Sequence, residues 1–176
     1  SCQRGLLNCC EHNETMGAQR DGAFSEYVSV PIERVYDGKG LPAKTLALIE
    51  PFCISWHGVS RANVKEGDKV LDMCAAPGGK STYILSKLND TGLLVSNEIN
   101  PTRIRALGEN LERFGARNCI ITNTDSNNLR KLFTGYFDKV VIDAPCSGQG
   151  MFRKDEVAIT DWSYAKVLEC QSIQKE

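Results

Sequence analysis

The sequence lacks the features that would place the chain in a membrane or a secretory pathway. No run of its 176 residues is apolar for long enough to span a bilayer, and no secretory signal peptide is visible. A strong excess of basic residues is also missing, since the formal net charge is −1. Hydrophobic residues make up 41% and charged residues 24%, as in ordinary globular proteins. We therefore expect a cytoplasmic globular protein with no membrane partner.

Cysteine is plentiful, with eight residues, but a metal site is poorly supported. Without a secretory context, reduced thiols are expected rather than a disulfide framework. Cys2 and Cys10 have a spacing that would suit half of a four-cysteine zinc site, but two thiolates do not close a tetrahedral shell. Glu50 is a third weak candidate, because a single carboxylate does not hold zinc. We expect no bound metal.

One stretch, Val70 to Ser81, has the pattern of a buried strand, a loop of small residues and the start of a helix. The loop residues from Cys74 to Gly79 are small, so that backbone can approach a ligand closely. A helix N-terminus at this place presents free N–H groups and a partial positive charge. The pattern favours a nucleotide-like cofactor at the carboxyl end of a parallel strand. An ordinary strand-to-helix turn without a ligand is the alternative.

The same loop does not match two familiar phosphate-binding patterns. A dinucleotide fingerprint with its last glycine on Gly79 would need glycine at Cys74 and at Ala76, where a pyrophosphate would now be crowded. A P-loop would need glycine five residues before Gly79, again at Cys74.

From residue 68 onward, strand and helix patterns alternate, which predicts an α/β fold with a parallel sheet. The first predicted strand begins at Val70, and three further strands are predicted at residues 92–97, 119–122 and 139–142. Helices are predicted to begin at Lys80 and at Pro101, with Gly115 as the C-cap of the second. A short helix around residues 129–133 and a last helical pattern with Val167 follow.

Acidic side chains follow the second and third predicted strands. Glu98 lies 19 positions after Gly79, where a carboxylate commonly accepts hydrogen bonds from ribose hydroxyls. Arg103 is placed to pair with Glu98, or else lies on a solvated helix face. Asp125 either meets an adenine amino group or forms a local Asx-type turn. A surface acid at a strand end is the alternative for Glu98.

A second chemical signal follows the fourth predicted strand. Asp143 and Cys146 stand at the carboxyl end of a buried strand, and Pro145 restricts the backbone between them. A cysteine beside a carboxylate acts as a nucleophile or in acid–base chemistry when its thiolate is stabilised. The alternative is an inert buried cysteine next to a strand-end aspartate.

Residues 69–176 resemble the RNA (cytosine-5) methyltransferases of the Sun/Fmu, RsmF-like type. The resemblance rests on the order of two motifs, CAAPGGK at Cys74 to Lys80 and DAPCSG-x-G at Asp143 to Gly150. It implies a Rossmann-like class I methyltransferase sheet, of which four parallel strands are present in the order 3-2-1-4. It also implies S-adenosylmethionine as methyl donor and RNA, either rRNA or tRNA, as the partner, with a role in rRNA processing.

The resemblance also implies roles for individual residues. The loop would enclose the amino-acid and sulfonium end of the donor, Glu98 would hold its ribose and Asp125 its adenine. The donor-binding residues would be Cys74, Ala75, Ala76, Pro77, Gly78, Gly79, Lys80, Glu98, Arg103, Asp125 and Asp143. The catalytic residues would be Asp143, Lys80 and Cys146, of which Cys146 matches the cysteine that the family links to product release.

In this family the cysteine that adds to cytosine C6 belongs to a later Thr-Cys motif, and the sequence contains no Thr-Cys pair. We therefore expect weak turnover, or none, from the chain as it stands. The predicted strand 139–142 would be an uncovered apolar edge, which favours self-association.

Residues 1–67 resemble part of a medium-chain zinc alcohol or polyol dehydrogenase, through the segment Asp21 to Tyr27 and through Ile49-Glu50-Pro51. The strand-forming side chains within residues 24–30 predict a strand there, and the apolar spacing predicts a helix through residues 41–57 that is kinked at Pro51. We interpret the chain as a composite joined near residues 67–70, with a dehydrogenase-like (GroES-like) fragment at 1–67 and a methyltransferase core at 68–176. The functional alternatives are a zinc-dependent NAD(P) dehydrogenase fragment and a non-catalytic composite that only binds S-adenosylmethionine.

Overall fold

The computed structural model describes residues 12, 14–17, 19–152 and 156–175. These residues form two compact units, one built from the described residues up to Lys39 together with Pro145–Lys175, the other from Gly40–Ala144. The boundary predicted at residue 67 falls inside the second unit. None of the helices in the described ranges is both long and apolar enough to cross a membrane.

The second unit is built on a parallel sheet whose strand order is β3-β2-β1-β4. The strands are β1 (Lys69–Asp72), β2 (Leu93–Asn97), β3 (Cys119–Thr122) and β4 (Lys139–Val141). Asp72, the last residue of β1, is in register with Ser96 of β2 and with Val141 of β4. The predicted α/β sheet and its strand order are confirmed.

Two helices, α1 (Ala43–Leu46) and α2 (Ile49–Ser60), precede β1. The helices α3 (Gly79–Leu88), α4 (Arg103–Phe114) and α5 (Ser126–Leu132) join successive strands along the chain, as parallel pairing requires. The helix α4 ends at Gly115, whose φ of 79° is the left-handed conformation that glycine adopts readily, as predicted for a C-cap. The predicted start of this helix at Pro101 is early by two residues, since α4 begins at Arg103.

Two apolar clusters cover the two faces of the sheet, because successive residues of a strand point to opposite faces. Val70 and Leu94 belong to the larger cluster with residues of α2, α3 and α4, among them Ile84. Leu71 and Val95 belong to the smaller cluster with Leu129 of α5. Each fully buried aliphatic side chain contributes about 1.5–3 kcal/mol, so these clusters fix the strand ends from which the site is built.

The helix predicted over residues 41–57 differs from the observed structure. It is interrupted at Ala47 and Leu48, and Pro51 is the third residue of α2 rather than a kink in one long helix. The first-turn N–H groups of a helix have no intrahelical partner, so a proline there removes no hydrogen bond. Val59 of α2 is only 1% exposed and belongs to the sheet's larger cluster.

The strand predicted over residues 24–30 is wrong, because these residues have no regular structure and Phe24 and Tyr27 are exposed. A run of strand-forming residues becomes a strand only when another strand pairs with it, and none in the described part of the chain does. Elsewhere the first unit contains two short 3₁₀ turns, Ile32–Arg34 and Gln149–Met151, and the helices α6 (Glu156–Thr160) and α7 (Tyr164–Lys175). The last predicted helical pattern corresponds to α7.

Candidate functional site at the carboxyl edge of the sheet

The loop between β1 and α3 is held by the two strands that flank β1. The N–H of Met73 donates to the carbonyl of Val141 at 2.9 Å, and the N–H of Ala75 donates to the carbonyl of Asn97 at 2.8 Å. The N-cap of α3, Gly78, has a φ of 111°, and a Cβ there would lie 3.2 Å from Leu107 Cδ1. Packing and backbone conformation therefore both require glycine at this position.

Side chains of α4 hold the outer side of the loop. Arg103 Nη2 donates to the carbonyl of Ala76 at 2.7 Å, and Asn110 Nδ2 donates to the carbonyl of Pro77 at 2.8 Å. On the other side, a Cβ on Gly79 would lie 2.9 Å from the hydroxyl oxygen of Ser55 in α2. The loop is thus fixed on several sides before any ligand is considered, and its two glycines lie close to side chains of α2 and α4.

Glu98, directly after β2, is a buried carboxylate with one unsatisfied oxygen. The residue is 3% exposed, and its Oε1 accepts from the N–H of Asn100 at 2.9 Å. Its Oε2 forms an ion pair with Arg103 Nη1 at 3.5 Å but accepts no hydrogen bond in the described structure. A buried oxygen without a hydrogen bond is costly, so binding of a ligand whose hydroxyl donates a hydrogen bond to Oε2 would be favoured. The predicted neighbours Glu98 and Arg103 do lie together.

Asp125 has a structural role in the described chain. It is the N-cap of α5. Its Oδ1 accepts from the backbone N–H of Asn128, and its Oδ2 accepts from the side-chain Nδ2 of Asn128, both at 2.8 Å. This is the local-turn alternative that the sequence left open. A carboxylate oxygen accepts more than one hydrogen bond, so the cap leaves room for a ligand donor as well.

Lys80 and Asp143 come together across the carboxyl edge. Lys80 Nζ, from the first turn of α3, donates to Asp143 Oδ2 at 2.6 Å. The Asp143 side chain is 61% exposed, so this pair adds little to stability and mainly sets the position of the carboxylate. Cys146 belongs to the first unit, where it is exposed, and its proximity to Asp143 stays a prediction.

Asn97 is a site residue that the sequence reasoning did not single out. It is 3% exposed, and its Nδ2 donates to the carbonyls of Met73 and Thr124 at 3.2 and 3.0 Å. Its Oδ1 accepts from the hydroxyl of Thr122 at 2.9 Å and from the N–H of Thr124 at 3.2 Å. One amide therefore ties the ends of β1 and β3 to β2. The only signal in the sequence was its place beside Glu98.

A buried polar chain runs beneath the loop. Asp72 Oδ2 accepts from the hydroxyl of Ser81 at 2.8 Å, and the Ser81 and Ser96 hydroxyl oxygens lie 3.0 Å apart. Burial raises the pKa of Asp72 to about 6, although the hydrogen bond from Ser81 opposes this shift. Burial and then the negative charge of Glu98 raise the pKa of the Cys74 thiol. Cys74 is therefore a neutral thiol near pH 7 and not a nucleophilic thiolate.

The weak metal candidates gain nothing from the structure. Glu50 is exposed in the first turn of α2, while Cys2 and Cys10 lie outside the described residues. Within the described ranges, no group of three or more His, Cys, Asp or Glu side chains is arranged to hold a metal ion.

Solved structures share this sheet and its connections. The chain is similar to the protein of "Crystal Structure of PH0851", with a TM-score of 0.64 and 25% identity over 68% of this chain and 27% of that one. It is also similar to NSun6 from Pyrococcus horikoshii with SFG, with a TM-score of 0.57 and 27% identity over 68% of this chain and 30% of that one. The sheet is that of a Rossmann-like class I methyltransferase.

Sequence comparison narrows this class to one family. Residues 60–176 match the family described as 16S rRNA methyltransferase RsmB/F, and the chain belongs to that family. It is 43% identical over 107 residues to ribosomal RNA small subunit methyltransferase F of Psychromonas ingrahamii, covering 61% of this chain and 22% of that protein. It is 39% identical over 112 residues to the human 28S rRNA (cytosine(4447)-C(5))-methyltransferase, covering 64% of this chain and 14% of that protein. The chain thus spans less than a quarter of the length of these relatives.

These findings do not support the composite interpretation. The family match begins at residue 60, inside the segment assigned to a dehydrogenase-like fragment. The ring of Phe52 in α2 also packs edge-on against Tyr83 of α3, with centroids 5.3 Å apart, so part of that segment packs on a helix of the methyltransferase fold. None of the relatives and structures cited above is named as a dehydrogenase.

Proposed function

We propose that this chain is the S-adenosylmethionine-binding core of a methyltransferase that modifies C5 of cytosine in RNA. The observation that carries the proposal is the buried Oε2 of Glu98, which accepts no hydrogen bond in the described structure and follows β2 at the carboxyl edge. A ribose hydroxyl would satisfy this oxygen, as it does for carboxylates at equivalent places in other nucleotide-binding sheets.

The remaining residues suit a mononucleoside better than a dinucleotide. Cys74 and Ala76 occupy the places where glycines would admit a pyrophosphate, and Ala76 is buried. The fixed loop from Cys74 to Lys80 would hold the amino-acid end of the donor, with Glu98 at the ribose and Asp125 at the adenine. The donor brings an activated methyl group on a cationic sulfur. The site's side chains bind and orient it.

Lys80 and Asp143 are proposed to position the acceptor base. The 2.6 Å contact from Lys80 holds one carboxylate oxygen of Asp143, and the other is left to accept from the amino edge of cytosine. Cys146, three residues later in the sequence, is proposed to act in product release. The names of the relatives, which refer to rRNA and to cytosine C5, support RNA as the acceptor.

Calorimetric titration of the whole chain with S-adenosylmethionine tests the donor site. Glu98→Gln keeps the size of the side chain but removes its charge, and a charged hydrogen bond is worth about 1.5–3 kcal/mol, so we expect at least about tenfold weaker binding. Glu109→Gln, an exposed residue of α4, makes the same chemical change away from the site and should leave the affinity unchanged. Failure of the unmodified chain to bind the donor would overturn the proposal, as would equal affinities for all three proteins.

A further inference from the structure

Asp72 is a fully buried carboxylate to which none of the proposed steps assigns a role. It ends β1 immediately before the loop, and its side chain is 0% exposed. Its Oδ2 accepts from the hydroxyl of Ser81, but its Oδ1 accepts no hydrogen bond in the described structure. Within the described ranges the Ser81 hydroxyl is its one hydrogen-bond partner, although a buried ionised carboxylate is ordinarily paired with a cation.

The charges around Asp72 come from every element that meets at this edge. The positive charge of Lys80 in α3 acts on Asp72, but the Lys80 ammonium is hydrogen-bonded to Asp143. Asp143 after β4 and Glu98 after β2 add negative charge. The negative charge of Asp72 also acts on two thiols, that of Cys74 in the loop and that of Cys119 at the start of β3. Ionised Asp72 therefore leaves excess negative charge below the loop, where the low dielectric preserves its effect.

We propose that Asp72 determines ligand selectivity, because its ionised carboxylate makes the site prefer the cationic methyl donor to the demethylated product. This inference rests on the proposed function. S-adenosylmethionine and S-adenosylhomocysteine differ by one methyl group and by the positive charge that the sulfur loses with it. Asp72 directly precedes the loop that is proposed to hold the amino-acid end of the donor, so its buried negative charge would stabilise the cationic donor more than the product. This difference favours exchange of product for fresh donor after each transfer.

The selectivity must then depend on pH with a definite sign. The pKa of Asp72, about 6 in the free chain, means that the carboxyl is mostly neutral near pH 5 and ionised near pH 7.5. The preference for donor over product should therefore increase as the pH rises through 6. By linkage, donor binding should lower the pKa of Asp72 and release protons near this pH, whereas product binding should not. Each pKa unit of coupling corresponds to about a tenfold change in affinity.

The test is calorimetric titration of the whole chain with donor and with product, at about pH 5 and about pH 7.5, in buffers of different ionisation enthalpy. We expect the ratio of the product Kd to the donor Kd to rise roughly three- to tenfold between the two pH values, with proton release on donor binding only. Asp72→Asn should abolish both effects. Asp138→Asn removes an exposed carboxylate just before β4, at the opposite edge of the sheet, and should preserve both.

A second variant keeps the test decisive if Asp72→Asn does not fold. Ser81→Ala retains the carboxylate but removes the hydrogen bond that favours its ionised form, so the midpoint of the pH dependence should move upward. A ratio that is independent of pH in the unmodified chain would overturn the inference while leaving the proposed function intact. The inference would also be overturned, with the proposed function intact, if Asp72→Asn retained the pH dependence or if Ser81→Ala did not shift its midpoint. Failure of both ligands to bind would overturn the proposed function and this inference with it.

Discussion

Replacing Asn97 by alanine should damage the site through its framework. The substitution removes an amide that donates to the carbonyls of Met73 and Thr124 and accepts from the hydroxyl of Thr122 and the N–H of Thr124. Alanine replaces none of these bonds, and at 3% exposure of Asn97 water has little access to the groups left behind. The loop before α3 and the loop after β3 would both lose their side-chain tie to β2, while the backbone bond from the N–H of Ala75 to the carbonyl of residue 97 would remain.

The expected loss of stability follows from the number of groups affected. A buried polar group left without its partner costs about 1–3 kcal/mol, and relaxation toward solvent at the loop ends recovers part of this, so we expect about 2–4 kcal/mol in total. Asn118→Ala is the matched control. Its Nδ2 makes one hydrogen bond, to the carbonyl of Thr91 at 2.8 Å on the opposite edge of the sheet, and the loss should be about 0.5–1.5 kcal/mol.

Urea denaturation followed by circular dichroism measures both variants against the unmodified chain. The midpoint should fall much further for Asn97→Ala than for Asn118→Ala, with similar slopes for the two transitions. Donor affinity should also fall for Asn97→Ala alone, because Glu98 is the next residue in the chain. Equal stability losses for the two variants would refute the idea that one amide organises the carboxyl edge.

Four further outcomes are expected. Gly78→Ala should destabilise the chain by about 1–3 kcal/mol in the same assay, because its φ of 111° and the contact with Leu107 both disfavour a Cβ; a neutral result would contradict this. Asp125→Ala should cost about 1 kcal/mol through loss of the α5 cap, and Asp125→Ser should restore most of it. Since burial raises the pKa of Asp72 from 3.8 to about 6, the folded chain binds more protons than the unfolded one between these pH values. The free energy of unfolding should therefore fall by up to about 3 kcal/mol as the pH rises through this window, and a flat profile equal to that of Asp72→Asn would argue against it. Val140 is 48% exposed on β4, an edge strand of the described sheet, so we expect the chain to self-associate as its concentration rises in analytical ultracentrifugation. Val140→Lys should reduce this association, and an unmodified chain that is monomeric at every concentration would contradict the expectation.

The sheet was predictable because its strands are short apolar runs bounded by turn residues. The run at Cys119–Thr122 gave the observed bounds of β3, and Gly115 gave the end of α4, since both signals are local. Glu98 and Asp143 were placed correctly at the carboxyl edge for the same reason, since Glu98 directly follows β2 and Asp143 comes two residues after the end of β4.

Features that depend on distant partners were not predictable. Residues 24–30 contain strand-forming side chains, but strand formation requires a pairing neighbour that local composition does not reveal. The role of Asn97 arises from groups 24 to 27 residues away, and the environment of Asp72 from hydroxyls 9 and 24 residues away. Pro51 lies in the first turn of α2 because the helical segment is interrupted at Ala47 and Leu48, and neither residue type predicts an interruption.

The central claim is that the loop after β1, together with Glu98, binds an adenosine that bears a sulfonium rather than a dinucleotide. The most direct measurement is a side-by-side calorimetric titration of the whole chain with S-adenosylmethionine and with NAD. Saturable binding of one S-adenosylmethionine per chain, with no heat from NAD, is the result we predict. Saturable binding of NAD without binding of S-adenosylmethionine would contradict the account.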